Sequence, residues 1–245
     1  SGPCSRSSCC SGAPRARKLV AFAAHSIGVG TPRRVFAMSS RAALLVTGSA
    51  IIGAGVSAML WNNFGAGPLD VFIGALRQMT GLPLTLAVWA TIGTLAVIAW
   101  SLGRRPGIGT LVGPFVAAPV MQTGVTLLGR FEPSHDLVTR LVVHLLAIGA
   151  IGIGAGCVGK AGLGSGTGEL LTAAAAERTG RRPAHVRTVL EVIWLSIGGL
   201  LGGPIGIGTV LVAFLIGPSV ANGLRIVDHT VTRTRVEVAA RRAEL

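Results

Sequence analysis

Five stretches of this chain run for about twenty residues without an Asp, Glu, Lys or Arg: 42–61, 82–102, 108–129, 141–159 and 205–224. Apolar runs of about 18 residues or more are long enough to cross a bilayer as a helix. A sixth stretch, 188–203, joins them if its single acid, Glu191, is tolerated. In lipid the backbone must satisfy its own hydrogen bonds, which leaves helices for segments of this kind. The expected fold is therefore an all-α membrane protein with six transmembrane helices. Charged residues make up only 13% of the chain, against about 25% in a soluble globule.

The spans carry a repeat. Sliding the sequence by 99 positions lays 65–124 on 164–223 without a gap, with 15 identities in 60 columns. The longest matched run is Gly107-Ile108-Gly109-Thr110 on Gly206-Ile207-Gly208-Thr209. Gly65-Ala66-Gly67-Pro68-Leu69-Asp70 falls on Gly164-Ser165-Gly166-Thr167-Gly168-Glu169, and both copies run on to a Thr-Gly pair. A further shift of two brings Gly53 and Gly55 onto Gly154 and Gly156. Pro68 suits the first turn of a helix. From Pro68 to Thr80 is 13 residues, about 20 Å of helix, too short for a hydrocarbon core of about 30 Å. Each half is thus expected to hold three crossings and one short broken or re-entrant helix.

Three crossings is an odd number, so the second half enters from the opposite side: two inverted three-helix repeats. The basic residues agree. With the N-terminus inside, 19 of the 22 Lys and Arg fall on inner segments, leaving Arg77, Arg130 and Arg140 outside; basic loops stay cytoplasmic. The expected layout is a disordered basic tail over 1–40, membrane repeat 1 over 41–129, a linker loop over 130–140, repeat 2 over 141–225 and a cytoplasmic tail over 226–245. The expected location is a bacterial cytoplasmic membrane, multi-pass, with both termini inside.

Paired broken helices in inverted repeats point to a solute site. Asp70 and Glu169, with backbone groups at Gly65, Gly67, Gly164 and Gly166, are the candidate substrate or ion ligands. The competing role for the two carboxylates is local, capping free amides at the third position of a short helix. His144, Glu191 and Asn222 are secondary candidates. A hydrogen-bonded interfacial histidine is expected at 144, and an ion pair with Arg187, four residues away on the helix, at Glu191. Asn222 and Gln122 are expected to bridge helices, and Arg41 and Lys160 to snorkel to the interface.

The net charge of +13 raises nucleic acid as a partner. The basic residues flank apolar spans without interleaved aromatics, so no nucleic acid is expected. Cys4, Cys9 and Cys10 crowd the N-terminus without a partner at finger spacing, and Cys157 reads as a packing residue. A patch at Leu19–Gly30 follows basic residues as in a signal peptide, but His25 and small residues dilute it. Gly154-x4-Gly159-Lys160 imitates a phosphate loop, yet Ala161 stands where Ser or Thr is required. No cofactor, no metal and no enzymatic activity are expected. The expected partners are the bilayer, a small solute and a second copy of the chain.

Gly65-Ala66-Gly67-Pro68-Leu69-Asp70-Val71, the Gly107–Thr110 turn and Gly217-Pro218 resemble the YczE/YitT-type family of bacterial integral membrane proteins. The resemblance covers about 41–225 and implies a cytoplasmic-membrane protein with five or six helices and no established activity. The leading function is a small-solute secondary transporter or permease. The alternative is a non-transporting accessory or scaffold protein.

Overall fold

A computed structural model describes residues 38–133 and 135–243, with side chains as far as Thr230. Of the expected disordered tail over 1–40, residues 1–37, with Cys4, Cys9 and Cys10, lie outside the described residues, and 38–40 already belong to the first helix. The described residues form eight helices and no strand. In order they are α1 (Met38–Asn62), α2 (Pro68–Thr80), α3 (Leu84–Ser101), α4 (Ile108–Leu128), α5 (Leu137–Ala161), α6 (Thr167–Thr179), α7 (Pro183–Leu200) and α8 (Ile207–Ala243).

The helix bounds repeat at 99. α1 to α4 begin at 38, 68, 84 and 108, and α5 to α8 begin at 137, 167, 183 and 207. The register therefore holds through α1 and α5 without the extra shift of two. Gly53 and Gly55 correspond to Gly152 and Gly154, and Arg41 corresponds to Arg140.

Five helices are long and apolar enough to cross a membrane: α1, α3, α4, α5 and residues 207–230 of α8. The expected six is reduced by α7, which carries His185, Arg187 and Glu191 within its 18 residues. The last helix also differs from expectation, since the tail over 226–243 continues α8 with no break after the span. After Gly223 the chain has neither Gly nor Pro as far as Ala243, so nothing there stops a helix that is already running.

At the centre α1 and α5 pack antiparallel, in steps of seven residues. Arg41 Nε donates to Ala161 O at 3.0 Å. A Cβ on Gly48 would stand 2.7 Å from Gly154 O, and one on Gly154 2.6 Å from Gly48 O. A Cβ on Gly55 would meet Ala147 O at 3.0 Å. Asn62 Nδ2 donates to Arg140 O at 2.8 Å. Small residues let the two backbones touch, the usual means of association where lipid offers no hydrophobic drive.

The ends of this pair are tied reciprocally. Arg41 donates to the carbonyls of Ala161 and Gly162, and Arg140 to those of Asn62 and Asn63. Each guanidinium satisfies the free carbonyls, and the negative dipole end, of the partner helix. Arg41 is thus a cap for α5 rather than a free interfacial anchor. The remaining helices also pair in a crossed fashion. α2 packs on α7, and α6 packs on α3. Gly198 of α7 admits the backbone of Val71 and Phe72, while Leu170, Leu171 and Ala174 of α6 bury against Leu95 and Ala99 of α3.

Candidate functional site

The two broken stretches are built by one set of contacts used twice. After α1 the chain turns at Gly65 with φ +130°, and after α5 at Gly164 with φ +153°. These left-handed values are open to glycine and costly for other residues. Phe64 O accepts from the Gly208 N–H at 2.8 Å, and Leu163 O from the Gly109 N–H at 2.9 Å. Ala66 N–H donates to Thr209 Oγ1 at 3.3 Å, and Thr110 Oγ1 donates to Ser165 O at 2.6 Å. The Gly-Ile-Gly-Thr start of α8 thus pins the first break, and the same start of α4 pins the second. Tight approach demands the glycines: a Cβ on Gly65 would lie 2.5 Å from Thr209 N, and one on Gly164 2.9 Å from Thr110 N. Much of the backbone expected to be free for a ligand is therefore taken by protein.

The candidate carboxylates share a local geometry and differ in surroundings. Asp70 sits in the first turn of α2 and accepts from the Gly67 backbone N–H. Glu169 sits in the first turn of α6 with Oε2 beside Gly166. Both therefore take the capping position. Asp70 is half-buried, whereas the Glu169 side chain keeps 49% of its surface exposed and lies 3.9 Å from Arg187. Arg187 also donates to Glu191 Oε1 at 2.9 Å, the expected intrahelical pair.

Asp70 and Gly65 line a cavity of about 510 Å³ between the end of α1, α2, the start of α3 and the second half of α4. Its polar lining adds Asn63, Arg77 and Gln78. Its apolar wall includes Met59, Ile73, Met121 and Val125. Glu169, Gly164 and Gly166 are not part of this lining, so the structure does not bring the two carboxylates into one site. Leu69, at the start of α2, packs both on the cluster of Ile73, Val88 and Ala118 and on that of Leu95 and Leu170. The N-terminus of α2 therefore reaches into the bundle while its C-terminus, at Gly81, is exposed.

His144, in the second turn of α5, is fully buried among protein side chains and makes the hydrogen bond expected of it. Its ring stands edge-on to Phe64 with centroids 5.6 Å apart, and Nε2 lies 3.1 Å from Gly208 O. A carbonyl can only accept, so Nε2 carries the proton in this contact. Nδ1 has no hydrogen-bond partner among the described residues. Arg140 lies over the other aromatic partner, 5.2 Å from the Phe64 centroid. His144 thus braces the first break. The repeat held a signal for its burial, because the equivalent residue, Leu45, is buried as well.

Asn222 is exposed on α8 and makes no interhelical bond among the described residues, contrary to the bridging expected of it. Gln122 does bridge: its Oε1 accepts from Leu84 N–H at 2.9 Å, across to the start of α3. Lys160 pairs with Asp228, tying α5 to α8 instead of snorkelling free. The described residues hold no cluster of three or more His, Cys, Asp and Glu that could take a metal ion. Sequence reasoning missed the Arg104–Glu177 pair, in which Arg104 Nε donates to Glu177 Oε2 at 2.9 Å. It joins the loop after α3 to the end of α6, a proximity that only the crossed packing creates.

Residues 39–222 match the family of unknown function DUF6198. The chain belongs to this family. It is 32% identical over 202 residues to the uncharacterized membrane protein YczE of Bacillus subtilis (strain 168), a match covering 79% of this chain and 91% of the relative. An uncharacterized protein of Haemophilus influenzae is 28% identical, with 75% of this chain and 83% of that protein covered. The uncharacterized protein YyaS of Bacillus subtilis is 22% identical, with 77% and 94% covered. No solved structure matches. Family membership covers both halves and both broken stretches, and it agrees with the membrane protein that the apolar helices require.

Proposed function

We propose that this protein is a small-solute transporter of the bacterial inner membrane, built as two inverted repeats. The antiparallel α1–α5 pair supports inversion, because equivalent helices that run in opposite directions cross the bilayer in opposite senses. The exchange of contacts between halves supports it further: each break is held by the other half. On this reading α7 is the sixth crossing, equivalent to α3, and its exposed Val189, Val192, Ile193 and Leu200 face lipid. Both termini lie on the cytoplasmic side, as the distribution of basic residues favours.

The observation that carries the transport reading is the cavity at the first break, with a half-buried carboxylate beside a re-entrant helix. Ionisable groups held inside a membrane bundle are costly and mark solute or ion paths. The accessory alternative draws on a different observation, the capping contact of Asp70 on the Gly67 N–H and the equivalent first-turn place of Glu169 beside Gly166. Single cysteines at Ile73 and at its equivalent, Thr172, separate the two. A transporter predicts that an impermeant thiol reagent reaches Ile73→Cys from one side of the membrane and Thr172→Cys from the other, and that modifying one slows reaction at the second. An accessory protein with dry, capping carboxylates predicts no reaction at either.

A further inference from the structure

We propose that the cavity at α2 binds a zwitterionic solute with an apolar body, its ammonium toward Asp70 and its carboxylate toward Arg77. This rests on the reading of that cavity as the solute site. Asp70 and Arg77 are seven positions apart, two turns of one helix, so they share a face with about 10.5 Å of rise between them. Both line the same cavity. They do not pair with each other, and neither pairs with another charged side chain among the described residues. The cavity thus has a carboxylate at its inner end and a guanidinium near the exposed end of α2.

That arrangement selects by exclusion. A simple organic cation meets Arg77, and a simple anion meets Asp70. An uncharged solute leaves the half-buried Asp70 carboxylate without a charged partner, and a carboxylate covered without one is costly. A molecule with opposite charges at its two ends satisfies both, and the guanidinium fork suits a carboxylate. Met59, Ile73, Met121 and Val125 provide an apolar wall for the segment between the charges. The volume of about 510 Å³ is within the range of small-molecule sites. Two turns of separation favour charges further apart than in an α-amino acid. The second half lacks the dipole, because Ala176 stands where Arg77 does in the first.

The test is calorimetric titration of the full chain in lipid nanodiscs with 6-aminohexanoate, glycine, hexylamine and hexanoate. The expected result is that 6-aminohexanoate binds at least about tenfold more tightly than each of the other three. Asp70→Asn keeps an oxygen for the Gly67 N–H and is expected to weaken 6-aminohexanoate by about tenfold or more. Arg77→Gln is expected to do the same while leaving hexylamine no weaker, with Arg77→Lys restoring part of the loss. Hexylamine binding as tightly as 6-aminohexanoate would overturn the proposal, as would wild-type affinity in either neutral variant. If none of the four binds although Ile73→Cys is labelled by a water-soluble thiol reagent, the zwitterion is wrong and the open cavity stands. If Ile73→Cys is not labelled, the cavity reading and the proposal fall together.

Discussion

The first broken stretch and the second share a backbone and differ in chemistry. Residues 63–67 and 162–166 turn at matching glycines, hang from matching Gly-Ile-Gly-Thr helix starts and lead into helices of 13 residues each. Around the first, Asp70, Arg77 and Gln78 line a cavity. Around the second, the equivalents are Glu169, Ala176 and Glu177. Glu169 lies near Arg187, Ala176 is buried, and Glu177 is tied to Arg104. Duplication therefore preserves what holds the frame and releases what lines the cavity. The mouth of the cavity at Gln78 in one half corresponds to an ion pair in the other.

Substitution at the shared frame is the strongest way to break this comparison. A Cβ on Gly208 would lie 2.6 Å from the His144 ring and 2.8 Å from Phe64 O, whereas one on Gly109 would meet Leu163 C at 3.0 Å. Gly208→Val is expected to cost about 3 kcal/mol or more, because it overpacks the site and displaces the Gly208 N–H from Phe64 O. Gly109→Val is expected at about 1–3 kcal/mol. Thermal unfolding of the purified protein in detergent ranks the two; equal losses would remove His144 as the source of the difference.

The α1–α5 seam should instead respond symmetrically. Gly55→Leu and Gly154→Leu are equivalent changes, the first against Ala147 O and Ile151 and the second against Gly48 O and Ile52, and each is expected to cost about 1–3 kcal/mol. Tm shifts that differ widely between the two would argue that the halves do not meet as equals.

The paired arginines sharpen the comparison at a smaller scale. Arg140 caps α1 and also lies over Phe64, while Arg41 caps α5 alone. Arg140→Met is expected to cost about 1.5–3 kcal/mol, in the range of charged hydrogen bonds. Arg41→Met should cost about half that, since it loses no aromatic contact. Chemical or thermal denaturation of the two variants side by side reads the order, and a larger loss at Arg41 would contradict it.

The smallest effect is expected at Arg104→Ala. The pair is more than a third exposed on both sides, and exposed ion pairs contribute about 0–1 kcal/mol. Hydrogen bonding to Arg104 holds the Glu177 carboxyl below the usual glutamate value. A carboxylate lowered in the folded state stabilises above its unfolded value, and that stabilisation is lost as pH falls through the folded value. The wild-type advantage over Arg104→Ala should therefore be full at neutral pH and vanish in acid. An advantage that grows on acidification would contradict the assignment.

The repeat was legible in the sequence because the contacts at the breaks leave little freedom. Gly107–Thr110 and Gly206–Thr209 are identical since each must pass its backbone against the other half's turn. The register of α1 against α5 was harder to see. Lipid-facing and packing positions tolerate any apolar residue, so Arg41/Arg140, Ile52/Ile151, Gly53/Gly152 and Gly55/Gly154 are the identities left there. The arginine caps were invisible because they exist only once the helices run antiparallel. The same holds for Arg104 and Glu177, which are 73 residues apart in the chain. Asp70 and Glu169 were found by position in the repeat, but their unequal burial depends on which helix covers each, and a linear pattern does not carry that.

The central claim is that the two halves lie inverted in the membrane. Thr80 and Thr179 are equivalent, exposed and at the ends of α2 and α6, in helical backbone that accepts a cysteine without strain. With Cys4, Cys9, Cys10 and Cys157 replaced, Thr80→Cys and Thr179→Cys would be treated in intact cells with a membrane-impermeant thiol reagent. The account predicts labelling of Thr80→Cys in intact cells and of Thr179→Cys only after permeabilisation. Labelling of both in intact cells, or of neither until the membrane is opened, would contradict the inversion.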